Sequence, residues 1–106
     1  MAAVTEEWRY AAKATDVEPG EAIAVTLGDK EFALFRIGEE FFATDNRCTH
    51  AAAPLADGYF DGEVIECPLH QGLFNVRTGA ALCSPALRPV KTYAVRVIAG
   101  QVEIRL

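Results

Sequence analysis

Residues 66–72, ECPLHQG, place a thiol and an imidazole three positions apart, with Pro68 and Leu69 between them. Thiolate and imidazole are ligands of zinc and of iron in proteins, but one such pair does not close a metal site. The other histidine of the chain lies in CTH, residues 48–50. The combined pattern is Cys48-x-His50, sixteen intervening residues, then Cys67-x-x-His70. It predicts two facing loops that hold a metal centre.

The order of the ligands bears on which metal they bind. A tetrahedral zinc site accepts two cysteines and two histidines, but common zinc fingers pair cysteine with cysteine and carry the histidines on a helix. Here each loop supplies one cysteine and one histidine in the same order. Two parallel loops of this kind can place both thiolates on one metal and both imidazoles on a second. Thiolates and bridging sulfide suit iron, so the pattern favours a mixed-ligand 2Fe–2S centre, with zinc as the alternative.

Composition narrows the class of protein. The chain has 106 residues, which predicts one domain, and it is 51% hydrophobic and 24% charged. A net charge of −5 and a pI near 4.9 argue against nucleic acid or an anionic membrane as the main partner. Glu6 and Glu7 interrupt the segment where a signal peptide needs apolar residues, so we expect a cytoplasmic protein. Three cysteines in that compartment are expected to be ligands or free thiols.

The hydrophobic pattern predicts an all-β fold, because valine, isoleucine and phenylalanine occur in short runs separated by turn residues. Gly28-Asp29, Gly38-Glu39 and Ala99-Gly100 are hairpin turns between predicted strands. The predicted strands are 22–27, 30–37, 40–44, 64–67, 73–76, 90–98 and 101–106. We expect a single domain with a basal β part, 1–44 and 90–106, and an inserted, loop-rich part, 45–89, that contains every cysteine and histidine.

The ligand pattern and its surroundings resemble the Rieske ferredoxins of bacterial aromatic-ring-hydroxylating dioxygenase systems. The resemblance covers FATDNRCTHAAAPLADGYFDGEVIECPLHQGLFNVRTGAA and the later CSPALRPVKTYAVRV. It implies the Rieske fold, with small antiparallel sheets and the loop-rich part binding one Rieske-type 2Fe–2S cluster. It also implies that Cys48 and Cys67 bind the inner iron, and that His50 and His70 bind the outer, more exposed iron.

The resemblance implies a soluble electron carrier and not an enzyme. The expected activity is one-electron transfer from an NAD(P)H-dependent ferredoxin reductase to the Rieske centre of a terminal aromatic-ring dioxygenase. We expect a monomer that forms transient redox complexes, without nucleic acid or membrane as a partner. Two alternatives are a small Rieske subunit of a nitrite-reductase-like complex and a zinc-binding structural module. The chain keeps all four ligands, which many nitrite-reductase subunits lack.

The resemblance also bears on the reduction potential. High-potential relatives carry an extra cysteine in each loop and join the two in a disulfide; the matching positions here are Ala53 and Leu69. Those relatives also place a serine hydroxyl after the second histidine, where this chain has Gln71, Gly72 and Leu73. Fewer hydroxyl donors leave negative charge on sulfur less stabilised, so we expect a potential at the low end of the Rieske range, roughly −150 to +300 mV.

Other residues have plainer interpretations. Ser84-Pro85-Ala86 matches the proline loop that covers the cluster in the family, and short residues are expected to form an apolar docking tip around the histidines: Ala51, Ala52, Ala53, Pro54, Leu69 and Pro85. Cys83 is expected to be a buried small apolar residue. The aromatic residues are expected in the core or on sheet surfaces, and the acidic group Asp57, Asp61, Glu63 and Glu66 is expected in a solvated loop.

Overall fold

The computed structural model describes residues 7–49, 53–69, 72–83 and 88–106. These ranges contain strands and two short 3₁₀ helices, Ala14–Asp16 and Leu55–Asp57, and no α-helix. The all-β prediction is therefore confirmed. The strands are β1 (Trp8–Lys13), β2 (Ala22–Leu27), β3 (Lys30–Ile37), β4 (Glu40–Asp45), β5 (Tyr59–Asp61), β6 (Val64–Glu66), β7 (Leu73–Asn75), β8 (Ala81–Cys83), β9 (Thr92–Tyr93), β10 (Val95–Ile98) and β11 (Gln101–Arg105).

The strands form three small antiparallel sheets. Sheet A has the order β1-β11-β10, sheet B the order β2-β3-β4-β9, and sheet C the order β5-β6-β7-β8. Strands that are neighbours in sequence pair directly in most of these sheets, and the chain ends meet in sheet A, where β1 pairs with β11. Sheet C comes entirely from the middle of the chain.

Strand β3 runs through the centre of the molecule and is buried on both faces. Residues 32–35, FALF, are each at most 1% exposed. Alternate side chains of a strand point to opposite faces, so Phe32 and Leu34 enter one core while Ala33 and Phe35 enter another. The first, the basal core, also contains Val102 and Ile104 of β11. The second, here called the tip core, contains residues of sheet C and both Cys48 and Cys67.

The predicted hairpins are confirmed. Ala99-Gly100 joins β10 to β11 as a two-residue turn, with Ile98 paired to Gln101. Both turn residues have positive φ, 50° at Ala99 and 76° at Gly100, which is the backbone pattern of a type I′ turn. Its twist matches the twist of the flanking strands, so the register of sheet A is fixed from this end.

Two parts of the strand prediction were wrong. The predicted single strand 90–98 is divided at Ala94: Tyr93 pairs with Ala43 in sheet B, and Val95 pairs with Ile104 in sheet A. The sequence does not show the division, because Ala94 lies exposed between the two halves, and Tyr93 and Val95 on either side of it pair in different sheets. Strands β1, β5 and β8 were not predicted, since each is short or rich in alanine and lacks a clear alternation of apolar and polar residues.

The division of the chain into a basal part and an inserted part, with boundaries at residues 45 and 89, stays a prediction. In residues 7–49, 53–69, 72–83 and 88–106, no helix has the length and apolar character that crossing a membrane requires.

Candidate metal centre

The two cysteines of the predicted centre lie in loops that leave the ends of short strands. Cys48 follows β4, in the loop that leads to the 3₁₀ helix Leu55–Asp57, and Cys67 begins the loop between β6 and β7. Both residues are buried, with exposed fractions of 2% and 1%. They belong to the same tip core, so the fold brings together two thiols that are 19 positions apart in the sequence.

Each loop is closed by the same backbone hydrogen bond. The Cys48 N–H donates to the carbonyl of Ala53 (3.0 Å), and the Cys67 N–H donates to the carbonyl of Gly72 (2.7 Å). In both cases the acceptor lies five residues after the cysteine. The two loops therefore begin and close in the same way, and each cysteine is anchored at the inner end of its loop.

The two thiols contact each other. The pKa of the Cys67 thiol is raised to about 11, first by burial and then by a hydrogen bond with the Cys48 thiol, which together outweigh the lowering by a hydrogen bond from the Leu69 backbone. A backbone N–H that points at sulfur stabilises thiolate, whereas the apolar surroundings disfavour it. A positively charged metal would replace the protons of both thiols, because cysteine binds metals as thiolate.

This donor set fits the cluster that the resemblance implies. Two buried thiols in mutual contact, with a backbone N–H on one sulfur, are the donors that the cysteine half of a Rieske centre requires. His50 and His70, the predicted imidazole half, lie outside the described residues, as do Ala51, Ala52, Gln71 and the Ser84-Pro85-Ala86 segment.

The first loop is held by the side chain of Asn46, which is only 6% exposed. Its Oδ1 accepts a hydrogen bond from the Ala56 backbone (2.7 Å), and its Nδ2 donates to Glu31 Oε1 on β3 (2.8 Å). These two bonds connect the start and the end of the loop to the central strand. Sequence reasoning missed Asn46, because an asparagine after a strand is not distinguishable from an ordinary turn residue.

A second contact of the first loop reaches a distant part of the chain. The Thr49 hydroxyl donates to the carbonyl of Arg88 (2.8 Å), 39 residues later. The only hydroxyl among the described residues of the two loops is therefore directed at a carbonyl oxygen and not at a cysteine sulfur. This agrees with the expectation that hydroxyl donors to the cluster are few.

The second loop is positioned by a close backbone approach at Gly58. A Cβ atom at this residue would lie 1.9 Å from the carbonyl oxygen of Glu66, the residue before Cys67. The Gly58 N–H donates to the carbonyl of Leu55 (3.0 Å), so the end of the 3₁₀ helix is packed directly against the end of β6. The sequence predicted only a solvated loop at Asp57 and gave no role to Gly58.

The prediction for Cys83 was wrong, because this residue is exposed. Cys83 pairs with Leu73, while Ala81 pairs with Phe74, which is fully buried. Since Leu73 and Phe74 are consecutive in a strand, their side chains point to opposite faces of sheet C. Cys83 thus lies on the outer face, away from the tip core and from the other two cysteines.

The structure confirms some of the predicted surface residues and shows that others are buried or paired. In the proposed docking tip, Pro54 and Leu69 are exposed, but Ala53 is 5% exposed and belongs to the tip core. In the acidic group, Glu63 forms an ion pair with Arg77, while Asp57 and Asp61 are exposed. The predicted location of the aromatic residues is confirmed for Phe32 and Phe35, which are among the most buried side chains.

Comparison with known proteins agrees with this site. Residues 7–94 match the family model described as the Rieske [2Fe-2S] domain. The ferredoxin component of the naphthalene 1,2-dioxygenase system of Pseudomonas aeruginosa is 46% identical over 103 residues, covering 97% of this chain and 99% of the relative.

Ferredoxins of known structure are also similar to this chain. The Sphingomonas yanoikuyae B1 ferredoxin superimposes with a TM-score of 0.89 at 40% identity, covering 94% of this chain and 99% of that one. A ferredoxin-sized chain in a complex of reduced oxygenase and oxidized ferredoxin in carbazole 1,9a-dioxygenase superimposes with a TM-score of 0.87 at 40% identity, with 92% of each chain covered. The chain belongs to the Rieske [2Fe–2S] family. It carries one Rieske-type 2Fe–2S cluster as its cofactor.

Proposed function

We propose that the chain is the electron-carrying ferredoxin component of an aromatic-ring dioxygenase system. It transfers single electrons and is not itself an enzyme, as the relatives named as ferredoxin components are electron carriers. The observation that carries the proposal is the pair of buried, contacting thiols Cys48 and Cys67 in a chain that matches such a component over nearly its whole length.

Four residues are proposed as the ligands of the cluster: Cys48, His50, Cys67 and His70. The two cysteines would bind the inner iron, which is supported by their burial and mutual contact. The two histidines would bind the outer iron, which is supported by their spacing from the cysteines in the sequence. When bound, the cluster supplies a site that accepts and releases one electron.

The protein around that site has three tasks. The closing bonds of Cys48 to Ala53 and of Cys67 to Gly72 hold both loops in one geometry, so little rearrangement accompanies a change of charge. The apolar tip core keeps water away from the cysteine side. The Leu69 backbone N–H stabilises negative charge on the Cys67 sulfur. With a backbone donor and no hydroxyl donor described on the sulfurs, the low end of the Rieske range is the expected potential.

The proposed electron donor is an NAD(P)H-dependent ferredoxin reductase, and the proposed acceptor is the Rieske centre of a terminal oxygenase. The relative in the carbazole 1,9a-dioxygenase complex supports the acceptor, since that ferredoxin is bound to its oxygenase. A monomeric carrier, a cytoplasmic location and the division into basal and inserted parts belong to the same proposal. Sheet C, formed only from residues within 45–89, supports the division.

Metal and sulfide analysis of the purified protein tests the ligand set. We expect two irons and two acid-labile sulfides per chain and the spectrum of a reduced Rieske centre. Zinc without sulfide would contradict the assignment.

Reconstitution tests the function. The purified chain is mixed anaerobically with NAD(P)H and a panel of dioxygenase reductases, and bleaching of the visible absorbance reports its reduction. The reduced chain, freed of reductase, is then mixed with purified terminal oxygenases, and reoxidation is followed. Reduction by a reductase and reoxidation by an oxygenase support the proposal, and failure of both steps with every partner refutes it.

A further inference from the structure

Some lysines and arginines of this acidic chain form ion pairs with carboxylates, and others do not. Among the ten lysines and arginines, five form ion pairs with described carboxylates and a sixth, Arg105, has another interaction. Within residues 7–49, 53–69, 72–83 and 88–106, four cations have no carboxylate partner: Lys13, Arg47, Arg88 and Lys91. Lys13 lies on β1 and Lys91 lies just before β9, whereas Arg47 directly precedes Cys48 and the Arg88 carbonyl accepts a hydrogen bond from Thr49. Two cations that the fold leaves without a carboxylate partner are thus beside the first ligand loop.

Two of these cations line one groove. Its volume is about 410 Å³, and its lining is Asp45, Arg47, Cys48, Thr49, Arg88 and Pro89. Arg47 and Arg88 are both exposed. The hydrogen bond from Thr49 to the Arg88 carbonyl ties the Arg88 backbone to the first ligand loop, which Arg47 directly precedes, so both arginines line the same groove.

The carboxylate that lines the groove, Asp45, already contacts Lys30 and Tyr93. Asp45 Oδ1 lies 3.1 Å from Lys30 Nζ and accepts a hydrogen bond from the Tyr93 hydroxyl at 2.5 Å. Lys30 neutralises this charge from the neighbouring strand β3. Asp45 is therefore a poor partner for Arg47 and Arg88, and the groove has a net positive character.

We propose that the groove between Arg47 and Arg88 binds aspartate or glutamate side chains on the surface of a redox partner protein. Guanidinium groups bind carboxylates through two parallel hydrogen bonds, which fixes orientation as well as position. Because Cys48 lines the groove, a partner anchored there lies close to the cluster. The overall charge of −5 repels an acidic partner in other orientations, so the local cations select the productive one.

This inference rests on the proposed function, and its test separates the two. Arg47→Glu and Arg88→Glu are compared with Lys13→Glu, which changes the net charge by the same amount at an unpaired cation in sheet A. Arg88→Lys keeps the charge. All four substitutions are at exposed positions, so the chains are expected to fold, and an unchanged cluster spectrum verifies this. Stopped-flow mixing gives the second-order rate constant with purified reductase in one arm and with purified oxygenase in the other.

At low ionic strength we expect Arg47→Glu and Arg88→Glu to slow transfer roughly tenfold in at least one arm, with Arg88→Lys near wild type. The arm that responds identifies the partner with the acidic surface. The difference in rate between these variants and the wild type should vanish at about 0.5 M salt, where charges are screened from each other beyond a few ångströms. Rates that follow Lys13→Glu in both arms overturn the inference and leave the proposed function intact. A wild-type chain that transfers no electron in either arm overturns both.

Discussion

Gly58 and Glu66 are in backbone contact at the base of the second ligand loop, and the space between them does not admit a side chain. A Cβ atom at Gly58 would lie 1.9 Å from the Glu66 carbonyl oxygen. Because Glu66 precedes Cys67, any displacement of that carbonyl also displaces the cysteine. A residue that is nine positions away from the ligand thus sets where the ligand lies.

Gly58→Ala should therefore impair cluster binding as well as folding. We expect it to lower the free energy of unfolding by about 1–3 kcal/mol, the usual cost of overpacking, and to reduce the iron content per chain. Gly62→Ala is the matched control, since Gly62 has a φ of +65° but no atom within 4 Å of an added Cβ. The control should lose about 1 kcal/mol through backbone strain and keep its iron. Equal iron content in the two variants would contradict the positioning role of Gly58.

Replacing each cysteine in turn should distinguish the two proposed ligands from Cys83. Cys48→Ser and Cys67→Ser are expected to lose the cluster, because each removes one of two thiols that meet in the tip core. Cys83→Ser is expected to keep full iron and sulfide content and an unchanged spectrum, because Cys83 is exposed on the outer face of sheet C. Loss of the cluster in Cys83→Ser would require a different ligand set.

The direction of the Thr49 hydroxyl leads to a prediction about the potential. Since this hydroxyl donates to the Arg88 carbonyl, Thr49→Ala should leave the midpoint potential unchanged and lower the free energy of unfolding by about 1 kcal/mol. Thr49→Ser keeps the hydroxyl and should restore stability. Redox titration of the wild type is expected to give a value near the lower end of the Rieske range, roughly −150 mV. A wild-type potential well above zero, or a shift in Thr49→Ala, would show that hydroxyl donors do act on the sulfurs.

The contact between Tyr93 and Asp45 predicts how stability changes in alkali. Burial, followed by the hydrogen bond to Asp45, raises the pKa of Tyr93, and hydrogen bonds with Tyr93 and Asp45 raise the pKa of Lys30. A raised pKa means that the folded state holds its proton more tightly than the unfolded state. The stabilisation is therefore complete below about pH 10 and is lost as pH rises through the folded-state values.

Urea unfolding of the wild type and of Tyr93→Phe between pH 8 and pH 11 measures this effect. Below pH 10 the variant should be less stable by about 1 kcal/mol, since it lacks the hydroxyl that Asp45 accepts. The difference should shrink as the tyrosine of the wild type loses its proton. A difference that stays constant across the whole range would show that the Tyr93 hydroxyl contributes nothing to the pH dependence.

The sequence was sufficient to predict the parts of the fold that local chemistry determines. The Ala99-Gly100 turn and strands β2 and β3 follow from turn residues and short hydrophobic runs, and they were found where predicted. The location of Cys48 and Cys67 in two loops after short strands also followed from their pattern, because metal ligation requires specific residue types at short spacings.

The parts that were missed depend on contacts between distant segments. Thr49 contacts Arg88 across 39 positions, and nothing in the sequence around either residue predicts this contact. Cys83 was predicted to be buried from its residue type alone, whereas its exposure depends on its pairing with Leu73 across a register shift between β7 and β8. The division of the strand at Ala94 likewise depends on which sheet each half joins.

The two cores on opposite sides of β3 have a consequence for how the protein acquires its iron. The basal core contains no metal ligand and is closed by sheets A and B, whereas the tip core contains two thiols whose protons a metal must displace. We therefore expect newly made chains to have one half whose packing does not depend on iron and another half that becomes fully stable only after loading. In the apoprotein, sheet C should be less protected than the basal core, and slow amide hydrogen exchange should extend from β3 into sheet C once the cluster is delivered.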